Sequence, residues 1–260
     1  MIRHSAIIDS ATASIETYVD GRGPALVIVP SYGRDGGTDF EALTDVLVDA
    51  GYQVLRPQPR GVARSAGPMS AVTFEDMAGD IACVIDELAD GPAVILGHAF
   101  GNFVARATAV HHPDKVAAVI LAAASGKTVA PEVASAPMRA GDLSLPDAVR
   151  MDALRLAFFA PEHDASPWLT GWYPATLAMQ VDCVQRTEVG RYWGAGAAPI
   201  LEIIAALDPF HIAAEWGDLR ESYGDRVSTT IIEGASHALF PEQPHAVAEA
   251  IVAYLPSVLP

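Results

Sequence analysis

The hexapeptide Gly97-His98-Ala99-Phe100-Gly101-Asn102 follows the apolar run Val94-Ile95-Leu96 and precedes the helical pattern Phe103 to Ala107. A strand, a tight Gly-x-x-x-Gly turn and a helix present the middle side chain of the turn as a nucleophile. Here that residue is Ala99, and a methyl group attacks nothing. Two further groups keep chemistry in view. Asp208 ends "PILEIIAALDP", so its carboxylate stands at the carboxyl end of a strand, where ligands bind in open α/β sheets. His237 lies in "EGASHALFPEQP", just past the last strand run, and an imidazole exchanges protons near neutral pH. Each also has a plain reading. Asp208-Pro209 favours a turn, and a lone histidine is more often structural or surface.

The remaining reactive side chains point elsewhere. His4, His163, His211 and His245 show no ligand spacing, so no metal is expected. His111 and His112 end a helical pattern, where a cation offsets the dipole. His98, beside Ala99, either lines a pocket or packs beneath it. Cys183, in "MQVDCVQR", has no base beside it in sequence, which makes it a poor replacement nucleophile. Cys83 reads as core, and Asp218 and Asp225 as solvated.

Positioning these groups requires a sheet. "SAIID" and "TASIETYV" alternate as a half-exposed hairpin does, with "GRGP" as the following turn. "ALVIVP", "YQVLRP", "PAVILG", "KVAAVILAAA", "PILEIIAAL" and "VSTTIIEG" are strand-length runs, most of them continuously apolar. Helical patterns alternate with them. "TDFEALTDVLVDAG" opens on Thr38 as an N-cap and stops at Gly51. "TFEDMAGDIACVIDELADG" begins with the capping box Thr73-x-x-Asp76. "PEQPHAVAEAIVAYLP" closes the chain, packing through Ala246, Ile251 and Leu255. Strands alternating with helices predict a doubly wound α/β fold, with a mostly parallel eight-stranded sheet. The alternation breaks from about residue 127 to residue 198, a stretch of helices and loops inserted between strands six and seven. The expected division is a core of residues 1–125 and 199–260, with a helical segment at 126–198.

Composition narrows the partners. Thirty-two acidic residues against 16 Lys+Arg give a net charge of −16, so nucleic acid and anionic membranes are unfavourable partners. Two isolated cysteines suggest a reducing compartment, and no apolar window has transmembrane length. The expectation is a cytoplasmic protein with a small-molecule substrate. Its oligomeric state is left open, a homodimer being one option.

Together these motifs resemble the α/β-hydrolases, specifically the small, single-domain kind with a helical cap. The resemblance spans essentially the whole chain and rests on motif order: elbow, acid, histidine. It implies that Ala99 stands at the nucleophile position, that Asp208 holds His237, and that no cofactor is needed. It implies an oxyanion hole from two backbone N–H groups, those of Phe100 and Tyr32. Pro30-Ser31 stands where the family usually has His-Gly, and Asn102 where a second Gly is frequent. Ser31 and His98 are candidate pocket residues. So are the aromatics of "SPWLTGWYP" and "RYWGAG", namely Trp168, Trp172, Tyr173 and Trp193.

Three functions follow as expectations. The preferred one is an enzyme with an Asp–His base, an oxyanion hole and no serine, acting on a small, largely apolar carbonyl compound. Direct water attack, lyase and cofactor-free chemistry all fit. The clustered departures at positions 30–31, 99 and 102 favour Ala99 as a native residue. The second is a serine ester or lactone hydrolase inactivated by substitution at position 99. The third is a non-catalytic small-molecule binder, against which the retained Asp208 and His237 argue.

Overall fold

The computed structural model describes residues 4–259. One eight-stranded sheet runs through it in the order β1-β2-β4-β3-β5-β6-β7-β8. The strands are β1 His4–Asp9, β2 Ser14–Asp20, β3 Ala25–Val29, β4 Gln53–Pro57, β5 Ala93–His98, β6 Val116–Ala122, β7 Ile200–Ala205 and β8 Val227–Ile232. β1 and β2 form the expected antiparallel hairpin, and β2 pairs antiparallel with β4. All later pairings are parallel. The run β3, β5, β7 is buried at every position because helices cover both faces of a parallel sheet.

One face carries α1 (Glu41–Asp49) together with the closing helix. The other carries α2 (Phe74–Leu88) and α3 (Gly101–His111). The Thr73–Asp76 capping box is present. Thr38 is not a helix N-cap: it opens a 3-10 turn over Thr38–Phe40, and α1 starts at Glu41. Its side chain meets no helix N–H, because the loop before it is organised by other contacts described below. Gly51, at φ +91, ends that helix as expected.

Between β6 and β7 the chain makes the helical excursion. It contains α4 (Pro131–Ala134), α5 (Ala136–Gly141), α6 (Asp147–Ala157) and α7 (Pro174–Gln185), and no strand. A separate apolar cluster holds it, with Leu154, Phe158, Trp168 and Trp172 at the centre. α8 (Asp218–Tyr223) joins β7 to β8. α9 (Leu239–Glu242) and α10 (Pro244–Tyr254) end the fold, and Ile251 and Leu255 are fully buried. After β3 the chain turns to one side of that strand, and after β4 it crosses to β5 on the other. The loops leaving β3 and β5 therefore flank a switch point of the sheet, where open α/β sheets form a crevice.

Candidate active site

The turn after β5 has two glycines for steric reasons. A Cβ on Gly97 would come within 2.4 Å of the Gly101 backbone, and one on Gly101 within 2.2 Å of the Val29 carbonyl oxygen. Strand, helix and neighbouring strand therefore touch backbone to backbone. Ala99, between them, is held at φ +48. An L-residue there costs roughly 1–2 kcal/mol relative to right-handed backbone. The conformation is enforced from outside: the Ala99 N–H donates to the Ala122 carbonyl (2.9 Å), and the Asn102 side-chain amide donates to the Ala99 carbonyl.

Asp208 and His237 come from loops after β7 and β8. Oδ2 of Asp208 lies 2.9 Å from Nδ1 of His237, while Oδ1 accepts the Phe210 N–H at 2.9 Å. Both side chains are buried. The aspartate thus occupies one ring nitrogen and leaves Nε2 for other work. Phe210 stacks near the imidazole with centroids 4.3 Å apart, and Phe158 meets it edge-on at 5.5 Å.

His98 packs beneath the site and lines no cavity. Its Nε2 is 2.9 Å from the His237 carbonyl oxygen, so this nitrogen must be the donor. Burial, aided by repulsion from His237, pulls its pKa down to about 3 and keeps it neutral. It braces the backbone of the residue that Asp208 orients through the side chain.

His237 opens on a cavity of about 240 Å³. Ser31, Tyr32, Ala99 and Phe100 share its wall, as do Ser125, Phe103, Phe158 and Phe210. No Asp, Glu, Lys or Arg side chain lines it. Burial pushes the Tyr32 phenol well above its ordinary range, so it stays protonated and can only hydrogen-bond.

The family model of the α/β-hydrolase fold matches residues 24–242, from the start of β3 past His237. The chain belongs to the α/β-hydrolase fold family.

Among curated members, a human mitochondrial palmitoyl-protein thioesterase is 29% identical over 110 residues, 42% of this chain and 36% of that protein. An epoxide hydrolase of Caballeronia sordidicola is 30% identical over 115 residues, 43% of this chain and 35% of its own length. The match thus spans about a third of the length of each of these two relatives. A thermophilic esterase from Thermogutta terrifontis superposes with a TM-score of 0.79 at 21% identity, covering 98% of this chain and 99% of that one. That likeness shows the fold. Relatives with hydrolase names support a hydrolase-type enzyme.

The cap aromatics dock the cap rather than wall the cavity. Trp168, Trp172, Tyr173 and Trp193 were candidates for the pocket wall, and none lines it. Two of them, Trp168 and Tyr173, bolt the cap to the loop after β3. The Arg34 guanidinium stacks 4.3 Å from the Trp168 ring and donates to the Thr170 carbonyl at 2.7 Å. The Trp168 indole donates to Asp39 at 3.0 Å, and the Tyr173 hydroxyl to Asp35 at 2.9 Å. Trp172 packs within the cap, its indole donating to the Trp168 carbonyl at 2.5 Å. Trp193 covers Arg106 with 4.4 Å between guanidinium and ring. Their density reflects docking, because an amphipathic cap needs apolar area with polar tips where it meets a loop.

Phe158, Phe210 and Ser125 are cavity residues that sequence reasoning passed over. Phe210 had a signal, since it lies two residues beyond Asp208 in the same loop. Phe158 and Ser125 had none. Cys183 is fully buried and does not line the cavity.

Proposed function

We propose that this α/β-hydrolase is an enzyme without a covalent nucleophile, in which Asp208 and His237 form a general base acting on a small, largely apolar carbonyl compound. The observation that carries it is the imidazole itself. It is oriented through Nδ1 by a buried carboxylate at 2.9 Å, braced from below by His98, and opens on a cavity shared with Ala99 and free of Asp, Glu, Lys and Arg. Binding alone needs no such arrangement. The cavity lies below the ~300–1,000 Å³ of drug-sized sites, which favours a compact substrate.

In this reading His237 Nε2 removes a proton from water or from the substrate. In the hydrolytic form, the resulting hydroxide attacks the carbonyl carbon. The tetrahedral oxyanion is met by the backbone N–H groups of Tyr32 and Phe100, neither of which has a backbone acceptor among the described residues. As the intermediate collapses, the imidazolium returns its proton to the leaving oxygen. In the lyase form the same donors hold an enolate. Asp208, through its contact with Nδ1, stabilises the imidazolium that forms.

The left-handed backbone at Ala99 favours a second reading, a serine hydrolase silenced by substitution. The elbow retains a conformation whose use is to present a side-chain oxygen. Ala99→Ser separates the two. A silenced serine enzyme should gain ester turnover by several orders of magnitude, in line with the ~10⁶ nucleophile effect known from subtilisin. An enzyme native in alanine should gain little and lose its own activity, because the new hydroxyl engages His237. The assay is turnover of aryl esters, lactones and β-dicarbonyls with His237→Ala as the control. Turnover surviving His237→Ala would refute the general-base reading.

A further inference from the structure

β7 carries a second carboxylate that the mechanism above leaves unused. Glu202 sits mid-strand opposite Leu121, is 4% exposed, and its Oε2 has no hydrogen-bond partner. A buried carboxylate so placed is costly and needs a reason. Arg106, on α3, is the nearest compensating charge and is also buried. The two side chains form no direct ion pair among the described residues. They are instead two walls of a small polar chamber, about 20 Å³ in volume. Ser125, Lys127, His211 and Asp218 complete most of it. A space of this size accommodates one water, which needs two to four polar partners. Ser125 also lines the reaction cavity, so the chamber and the cavity share a wall.

Arg106 is tied to the reaction centre from the other direction. Its Nε donates to Asn102 Oδ1 at 3.0 Å, and the Asn102 amide donates to the Ala99 carbonyl. A second guanidinium nitrogen donates to the Trp193 carbonyl. This accounts for Asn102 at a position where the family often has glycine: it links the elbow to a buried guanidinium.

We propose that Glu202, Arg106 and Ser125 hold one buried water between them, and that this water relays a proton from the Glu202 carboxyl through the Ser125 hydroxyl into the reaction cavity. The inference rests on His237 acting as the base. One proton moves per turnover. In the lyase form the Glu202 O–H bond breaks as the water takes its proton, the water passes a proton to Ser125 Oγ, and the Ser125 proton goes to the enolate or carbanion of the substrate. Glu202 is left as a carboxylate facing Arg106. In this lyase form the proton that His237 removed leaves to solvent, since no leaving oxygen takes it, and Glu202 is reprotonated from solvent. Base and acid thus approach the substrate from separate walls, as reactions that remove a proton at one atom and add one at another require.

The groups facing Glu202 set its ionisation. Burial raises its pKa, Arg106 from α3 lowers it, and Asp218 from α8 raises it, for a net value of about 7. Lys127, His211 and Glu215 lie on the same chamber. The acid is therefore present below neutrality and is lost as pH rises.

The test pairs Glu202→Gln with Ser125→Ala. In a high-resolution crystal structure of the unsubstituted protein, a water within hydrogen-bond distance of Glu202, Arg106 and Ser125 is expected. A chamber holding none, or a water that does not reach Ser125, overturns the proposal without any substrate in hand. On the compound turned over in the screen above, both variants should lose on the order of 10²-fold in kcat with little change in KM. Both should also lose the fall in rate above neutral pH and keep the acid limb. Glu202→Gln that keeps the rate and both limbs of the profile overturns the relay, while inactivity of His237→Ala leaves the base reading intact. Glutamine preserves volume, and Ser125→Ala provides the same readout should Glu202→Gln fold poorly.

Discussion

Two loops wall the reaction cavity and are fixed in contrasting ways. The loop after β3, from Pro30 to Gly37, has few backbone partners and is held by long side chains from outside. Gln180 of α7 accepts the Gly33 N–H at 2.7 Å, Gln58 accepts the Gly36 N–H at 3.1 Å, and Arg56 donates to the Gly36 carbonyl at 3.1 Å. Arg34 joins it to the cap. The loop after β8, from Gly234 to Leu239, is held mainly through backbone groups. Its Leu207–Ala235 and Ala238–Phe158 contacts are backbone hydrogen bonds of 2.9 and 2.8 Å. One buried carboxylate, Glu242, accepts the Ser236 N–H at 2.5 Å and the Ala160 N–H at 2.6 Å. The Tyr32 side depends on the cap being seated, and the His237 side depends on a single anion five residues further along the chain. The cap is therefore part of both walls: it supplies Gln180 to one loop and Ala160 and Phe158 to the other.

The sharpest way to break the comparison is Glu242→Ala. Two buried N–H groups lose a charged acceptor, so unfolding free energy should drop by about 3–5 kcal/mol in denaturant titrations. A drop below about 1 kcal/mol would mean that backbone contacts alone hold the base loop.

Acid probes the same loop through His98. Its pKa is about 3 folded against an ordinary value of 6.5, so the unfolded chain binds a proton first as pH falls. Stability from this group is complete above 6.5 and is lost as pH falls toward 3. A loss of roughly 2–4 kcal/mol over that window is expected from the shift, allowing for relaxation. His98→Asn keeps an N–H donor and does not titrate, so its pH–stability curve should be flatter. Curves of equal slope would count against a neutral His98.

Arg34→Met tests the other wall. It leaves the Thr170 and Gly171 carbonyls and Asp39 without their cation, costing about 2–3 kcal/mol. Amide hydrogen exchange should accelerate in residues 31–37 and 168–173 together. Acceleration confined to the cap would separate the two and undo the coupling argued here. Gln180→Ala is the mildest variant, about 1–2 kcal/mol for one buried N–H. Its exchange effect should centre on Gly33, and an unchanged Gly33 amide would assign the loop's order to Arg56 and Gln58 alone.

Much of this was legible in the sequence because the informative signals are local. Continuous apolar runs identify strands buried on both faces. The two glycines of the elbow are demanded by backbone contact at Gly97 and Gly101. Asp208 and His237 announce themselves by standing just past strand ends. The insertion after β6 is readable as a lapse in alternation. Thr38 was misread because a threonine before a helical pattern looks like a cap whether or not the preceding loop is held otherwise.

The amino-acid sequence by itself determined the sheet, the elbow with its methyl group, and the order Ala99, Asp208, His237, since each follows from periodicity or from spacing along a few residues. Only the tertiary structure decided what the cap tryptophans touch, why His98 is neutral, and that Glu202, Arg106 and Ser125 line one chamber. These depend on contacts between residues 70 to 140 positions apart, such as His98 with His237 and Arg34 with Thr170. Burial, desolvation and hydrogen-bond satisfaction are properties of that three-dimensional neighbourhood, and no stretch of chain encodes them alone.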